Sequence, residues 1–200
     1  MIGACGLIIL AVVVTGIHPF LAVNQPVGGD LMVVEGWLPK YALEKVAAEF
    51  HSKGYRRVIA TGIPIPDASY FRQCFPEYES YAEVTAASIR DLGVASDRVV
   101  AVPAAYVPRD RTYSTAAALK AWLRDSETGA RSFDLYSVGP HARRTWLLYE
   151  TAMDGEFQVG IVALKNEGYD PDAWWRTSGG VRTVIAEALA YLYARLLFSP

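Results

Sequence analysis

The sequence predicts a three-layer α/β domain around a mostly parallel five-stranded sheet, preceded by an N-terminal membrane helix. Short apolar runs of strand length alternate along the chain with segments whose apolar residues recur at helical spacing. The first run is apolar throughout, which is typical of a strand covered on both faces. Because strands that alternate with helices form right-handed βαβ units, we expect a parallel sheet.

The strands follow from apolar runs that end at turn residues. The five predicted strands are Leu31–Val34, Arg57–Ala60, Val99–Val102, Phe133–Val138 and Phe157–Ala163. The predicted helices between and after them are Tyr41–Lys53, Glu79–Leu92, Ser114–Arg124, a helix from about His141 to Met153, and Val181–Leu197. The segment from Ile63 to about Pro76 is long for a connection, and two interpretations stay open: a lid or binding loop, and a surface insertion.

The last predicted helix carries a strong apolar stripe, which consists of Leu189, Leu192, Tyr193, Leu196 and Leu197. We expect this stripe to pack on the sheet. Contact with a membrane surface is the alternative, since Trp and Tyr favour membrane interfaces and Trp174-Trp175 precede the helix.

The N-terminal segment is predicted to be a membrane span. Residues 2–17 contain no charged side chain, and about 20 apolar residues suffice to cross a bilayer. A cleavable signal peptide is the main alternative, although the positively charged start typical of one is absent, and a buried core helix is the third. We therefore divide the chain into a transmembrane or signal-anchor segment (1–23), a linker (24–29) and an α/β domain (30–200).

Composition and absent motifs exclude several function classes. The 200 residues have a formal net charge of −2, so no basic excess favours a nucleic-acid partner. The sequence has no Gly-x-Gly-x-x-Gly after the first strand, no P-loop and no Gly-x-Ser-x-Gly. Its three histidines are scattered, which argues against a zinc site. We predict neither a metal site nor a cofactor.

Polar residues follow four of the predicted strands, where ligands bind in open α/β sheets. The candidate binding residues are Gly36, Thr61, Gly62, Arg111, Thr112, Ser114, Ser137, Arg143 and Arg144, and the candidate catalytic residues are Glu35 and His141. His141 could act as an acid or a base near neutral pH, with Glu35 orienting it or accepting a proton.

Arginines at a helix start favour a phosphate or carboxylate ligand. Because Arg143 and Arg144 are adjacent on a helix, we expect them to point in different directions. Three structural alternatives stay open: Thr112, Ser114 or Thr115 caps a helix, Arg144 pairs with Glu35, and His141 bonds only to backbone.

Several segments together resemble the SanA/ElyC/YdcF group of bacterial membrane-associated proteins over roughly residues 30–195. The similar segments are Glu35-Gly36, Val58 to Gly62, Leu92-Gly93-Val94, Arg111-Thr112, His141 to Arg144, and Trp174-Trp175 with Arg182 and Glu187. The chain departs from the group at Tyr81, where a Glu is usual, and at Thr115, where an Asn is usual. These departures indicate either a different ligand or a lost activity.

The resemblance implies a Rossmann-like domain outside the cytoplasm, a single membrane anchor, and a role in envelope barrier or cell-wall polysaccharide metabolism. We expect the domain to bind an anionic small molecule or a lipid-linked phosphate, and whether it also processes that ligand stays open. The alternatives are a non-catalytic structural or regulatory envelope module, and a nucleotide- or S-adenosylmethionine-binding protein.

Overall fold

Five strands alternate with helices along the part of the chain that the structure, a computed structural model, describes: the backbone of residues 2–200 and the side chains of residues 12–200. The strands are β1 (Leu31–Glu35), β2 (Arg57–Gly62), β3 (Val99–Pro103), β4 (Ser132–Val138) and β5 (Gln158–Leu164). The helices are α1 (Ile2–Leu21), α2 (Lys40–Lys53), α3 (Tyr70–Cys74), α4 (Tyr81–Asp91), α5 (Arg111–Asp125), α6 (His141–Met153) and α7 (Ser178–Leu196). Short 3-10 helices cover Ser96–Arg98 and Pro171–Arg176.

All five strands lie in one sheet in the order β3-β2-β1-β4-β5, and every neighbouring pair is parallel. The central strand β1 pairs with β2 on one side and with β4 on the other. The chain runs outward from β1 to β3 and then returns to start the other half at β4. This reversal of strand order opens a crevice at the carboxyl ends of β1 and β4, where open α/β sheets bind ligands.

Alternate residues of β1 enter different cores, which confirms the predicted three layers. Met32 and Val34 pack with α2 and α4 in one buried cluster, whereas Leu31 and Val33 pack with α5 and α6 in the other. This separation follows from the period of two along a strand. The α/β domain with a parallel five-stranded sheet is therefore confirmed.

The end of α1 is bound to the domain by several different contacts. Leu21 is buried with Trp174 and Val184, and the Trp174 indole donates to the carbonyl of Val14 at 3.0 Å. The Arg143 guanidinium lies over the Phe20 ring, 3.9 Å from its centroid, and its Nε donates to the Phe20 carbonyl. The last turn of α1 is thus part of the folded domain.

Residue 1 and the side chains of residues 2–11, which belong to the predicted membrane segment, lie outside the described residues. Among the described residues, no helix has the length and apolarity needed to cross a bilayer. The predicted linker is held in place: Gln25 forms a bridge with Ile161, and the Val27 N–H donates to buried Asp134 at 2.6 Å.

The predicted packing of the last helix on the sheet is wrong. The stripe residues Leu189, Leu192, Tyr193, Leu196 and Leu197 are between 46% and 75% exposed. The helix turns a different side inward: Val184 and Ala188 pack against α1.

The long segment after β2, from Ile63 to about Pro76, contains α3. Its residues Ile63 and Ile65 are buried, and Pro64 forms a bridge with Ser80.

Candidate functional site

A cavity of about 720 Å³ lies at the carboxyl ends of β1 and β2 and at the start of α6. Glu35 is the last residue of β1, Gly62 is the last residue of β2, and His141 is the first residue of α6. All three line the cavity. The topology therefore brings together polar groups that are far apart in the sequence.

Four charged side chains form a cluster on the cavity wall. His141 Nε2 lies 3.3 Å from Glu35 Oε1, and His141 Nδ1 lies 2.9 Å from Glu187 Oε1. Arg144 Nε donates to Glu187 Oε2 at 2.9 Å, and Arg144 Nη2 lies 2.9 Å from His141 Nδ1. The cluster thus links the end of β1, the first turn of α6 and the middle of α7.

Mutual attraction keeps the cluster ionised despite its burial. Burial opposes the imidazolium of His141, but the two flanking carboxylates outweigh it and raise the pKa of His141 to about 9. Burial likewise opposes the carboxylate of Glu187, yet hydrogen bonds from His141 and Arg144 lower its pKa to about 2. The pKa of Glu35 is also below its ordinary value, because the charge of His141 overcomes the effect of burial. At neutral pH two positive and two negative charges balance.

Two buried atoms of this cluster, Glu35 Oε2 and His141 Nε2, make no hydrogen bond of good geometry within the described part of the chain, and the nearest contact of Nε2 is the ion pair with Glu35 Oε1 at 3.3 Å. The other oxygen of Glu35 accepts from the Thr145 hydroxyl at 3.2 Å. Trp37 covers the imidazole edge-on, with ring centroids 4.8 Å apart. Buried polar atoms without partners are rare in folded proteins, and a carboxylate beside an imidazolium can hold and transfer a proton.

A second charged region lies where α5 begins. Arg109, Asp110 and Arg111 line the cavity and are exposed. Neither arginine has a carboxylate partner among the residues that the structure describes. Asp110 adopts a left-handed conformation (φ 55°) and its side chain does not cap α5, so the first N–H groups of the helix stay available. Two guanidiniums and the positive end of a helix dipole favour an anion here.

Two glycines at the strand ends have a steric role. A Cβ on Gly62 would lie 2.5 Å from the Ala82 nitrogen, and a Cβ on Gly36 would lie 2.6 Å from the Thr61 carbonyl oxygen. Both contacts are too short for a real Cβ. These glycines let the start of α4 pack directly on the strand ends, and both line the cavity.

The structure brings most of the predicted residues to the cavity, namely Glu35, Gly36, Thr61, Gly62, Arg111, Thr112, His141 and Arg144. Three others do not line it. Ser114 donates to the Ala105 carbonyl at 3.3 Å, Ser137 is fully buried next to Glu35, and Arg143 contacts α1 instead. The two adjacent arginines do point in different directions, as expected.

Several predicted structural alternatives are wrong. Arg144 pairs with Glu187 rather than with Glu35, and His141 contacts two carboxylates rather than backbone. No hydroxyl caps α5, because the helix begins one turn earlier than predicted, at Arg111. Sequence reasoning about strand ends missed Glu187, which lies on the last helix.

Within the part of the chain whose side chains are described, no group of three or more His, Cys, Asp and Glu residues is arranged to hold a metal ion. Comparison of the chain with models of protein families, with curated proteins and with solved structures gives no match.

Proposed function

We propose that the domain binds an anionic, phosphate-containing ligand in this cavity, and that the chain is a single-pass membrane protein acting in cell-envelope biogenesis or barrier function. The observation that carries the ligand class is the pair Arg109 and Arg111. They flank an uncapped helix start at the cavity and have no carboxylate partner in the described structure.

The charge balance of the cavity supports an anion at this position. The inner cluster, formed by Glu35, His141, Arg144 and Glu187, is neutral when all four groups are ionised. The charged region at the start of α5 then keeps one uncompensated positive charge, since Asp110 offsets one of the two arginines, Arg109 and Arg111. A phosphate at the α5 start would neutralise that charge and bond to backbone N–H groups.

The membrane and envelope part of the proposal rests on sequence. Residues 2–17 have no charged side chain, and the resemblance to the SanA/ElyC/YdcF group implies an anchored domain outside the cytoplasm. A chemical step on the ligand would use Glu35 and His141, since this carboxylate and imidazole lie together in the cavity wall and can accept and donate a proton.

The test is titration calorimetry of the full chain in lipid nanodiscs, with inorganic phosphate and with glycerol as a neutral control. We expect the double variant Arg109→Ala/Arg111→Ala to bind phosphate about tenfold or more weakly, since hydrogen bonds to charged groups contribute about 1.5–3 kcal/mol. Arg131→Ala is the matched control, because Arg131 is exposed and lies at the opposite end of β4. Equal phosphate affinity in all three proteins would refute the proposed site.

A second candidate function, a non-catalytic structural module, is favoured by one observation: Glu187 joins α7 to α6 through His141 and Arg144. In that case the cluster only fastens the last helix. Glu187→Gln would then lower the melting temperature, and phosphate would not shift the melting temperature of any of these proteins.

A further inference from the structure

One wall of the cavity is apolar, and it belongs to α7. Glu187, Ala190 and Ala194 line the cavity at helical spacing i, i+3 and i+7. This face changes from a carboxylate to two methyl groups over a rise of about 10 Å. Beyond it Phe198 also lines the cavity, with its ring 5.1 Å from that of Tyr113. The wall therefore becomes apolar with distance from the charged cluster.

This apolar wall continues onto the surface of the protein. Tyr193 lines the cavity and is 46% exposed. Its neighbours at i−4, i+3 and i+4 are Leu189, Leu196 and Leu197, which are 63%, 72% and 75% exposed. The apolar wall of the cavity is thus continuous with exposed apolar side chains on the surface of α7.

Resting on the proposed phosphate site, we infer that the ligand is amphiphilic: a phosphate group at the α5 start and an aliphatic chain along Ala190, Ala194 and Phe198 of the C-terminal segment. The small side chains of Ala190 and Ala194 leave room for a chain rather than filling it. Along this face beyond Glu187, the Tyr193 hydroxyl is the one polar side-chain group among the described lining residues. This face therefore has few hydrogen-bonding groups for the polar edge of a nucleobase.

The inference predicts that affinity depends on chain length. Burying one methylene strengthens binding by up to about fourfold. Calorimetry of the full chain in nanodiscs would compare inorganic phosphate, ethyl, butyl, hexyl and phenyl phosphate, with empty nanodiscs as the blank for partition into lipid. We expect hexyl phosphate to bind at least about tenfold more tightly than ethyl phosphate.

Phe198→Ser should reduce that gain severalfold without changing the affinity for inorganic phosphate. Ile185→Ser is the matched control, since Ile185 is an apolar residue of α7, is 47% exposed and belongs neither to the cavity lining nor to its apolar continuation, and it should keep the gain. Tyr193→Ser provides a second variant at the point where the cavity wall reaches the surface. Adding phosphatidic acid to the nanodiscs identifies the source: weaker apparent binding of hexyl phosphate indicates a bilayer lipid, and unchanged binding indicates a free alkyl phosphate.

Two results would overturn the inference while the phosphate site stands: equal affinity for ethyl and hexyl phosphate, or tighter binding of phenyl than of hexyl phosphate. If no phosphate binds at all, the proposed function itself is wrong and this inference falls with it. The inorganic phosphate titration separates these two failures.

Discussion

The buried ion cluster predicts how the stability of the protein depends on pH. His141 has a folded-state pKa of about 9 against an ordinary value of 6.5, and its side chain is 12% exposed. Because the folded state raises this pKa, the contribution is fully present below pH 6.5 and is lost as the pH rises through about 9. The difference corresponds to about 3 kcal/mol of unfolding free energy.

Urea unfolding at pH 6, 7.5 and 9.5 measures this change. Between pH 6.5 and 9 the folded protein holds one more proton than the unfolded chain, so the unfolding free energy should fall by about 1.4 kcal/mol per pH unit. The variant His141→Gln should lack this slope and should be less stable at pH 6, since Glu35 and Glu187 lose their cationic partner. The variant of an exposed histidine, His51→Gln, should keep the slope.

Two results would refute the reasoning. One is a wild-type slope over this range no steeper than that of His141→Gln. The other is an NMR titration of the His141 ring with a midpoint near the ordinary value, which would show that the two carboxylates do not stabilise the imidazolium.

The remaining predictions concern packing and hydrogen bonds. Gly62→Ala should lower the unfolding free energy by about 1–3 kcal/mol, because the added Cβ would lie 2.5 Å from a backbone atom. Gly179→Ala should leave the unfolding free energy unchanged, because Gly179 has open space around it. Chemical denaturation of the two variants tests this difference. Arg143→Ala should speed hydrogen exchange in the last turn of α1 and leave phosphate affinity unchanged, and a loss of phosphate binding would contradict its placement outside the cavity. Tyr55→Phe removes the hydroxyl that donates to buried Asp134 at 2.8 Å, so it should lower the unfolding free energy by about 1–3 kcal/mol in the same denaturation assay. An unchanged denaturation midpoint would show that Asp134 finds another donor.

The strands were predictable because each is a local apolar run. All five predicted strands overlap the observed ones. Strand β2 extends two residues beyond its prediction, through Thr61 and Gly62, because this pair is typical of a turn. The start of α5 is harder to predict from the sequence. Asp110 ends the preceding loop in a left-handed conformation, and no residue pattern around it indicates that conformation. A helix without a side-chain cap leaves no capping signal to detect.

The cavity residues contributed by strand ends were also predictable, because parallel strands place their carboxyl ends at one edge. Glu35 and His141 meet for this reason, across a strand pair, β1 and β4, that is adjacent in the sheet. Arg143 lies outside the cavity because it contacts the last turn of α1, which belongs to a segment that the sequence predicts to span a membrane. Local patterns do not report such long-range contacts.

Glu187, the member of the cluster that does not lie at a strand end, is indicated by a different pattern in the sequence. It is the one charged residue between Thr183 and Tyr193 of an otherwise apolar helix. A carboxylate in such a segment is rarely buried without a cationic partner, so its position alone implies a basic group from another element. His141 and Arg144, one helical turn apart at the start of α6, are that group. An isolated charge in an apolar helix therefore indicates a partner of opposite charge on another element, and here the partners of Glu187 at the start of α6 link α7 to the cavity.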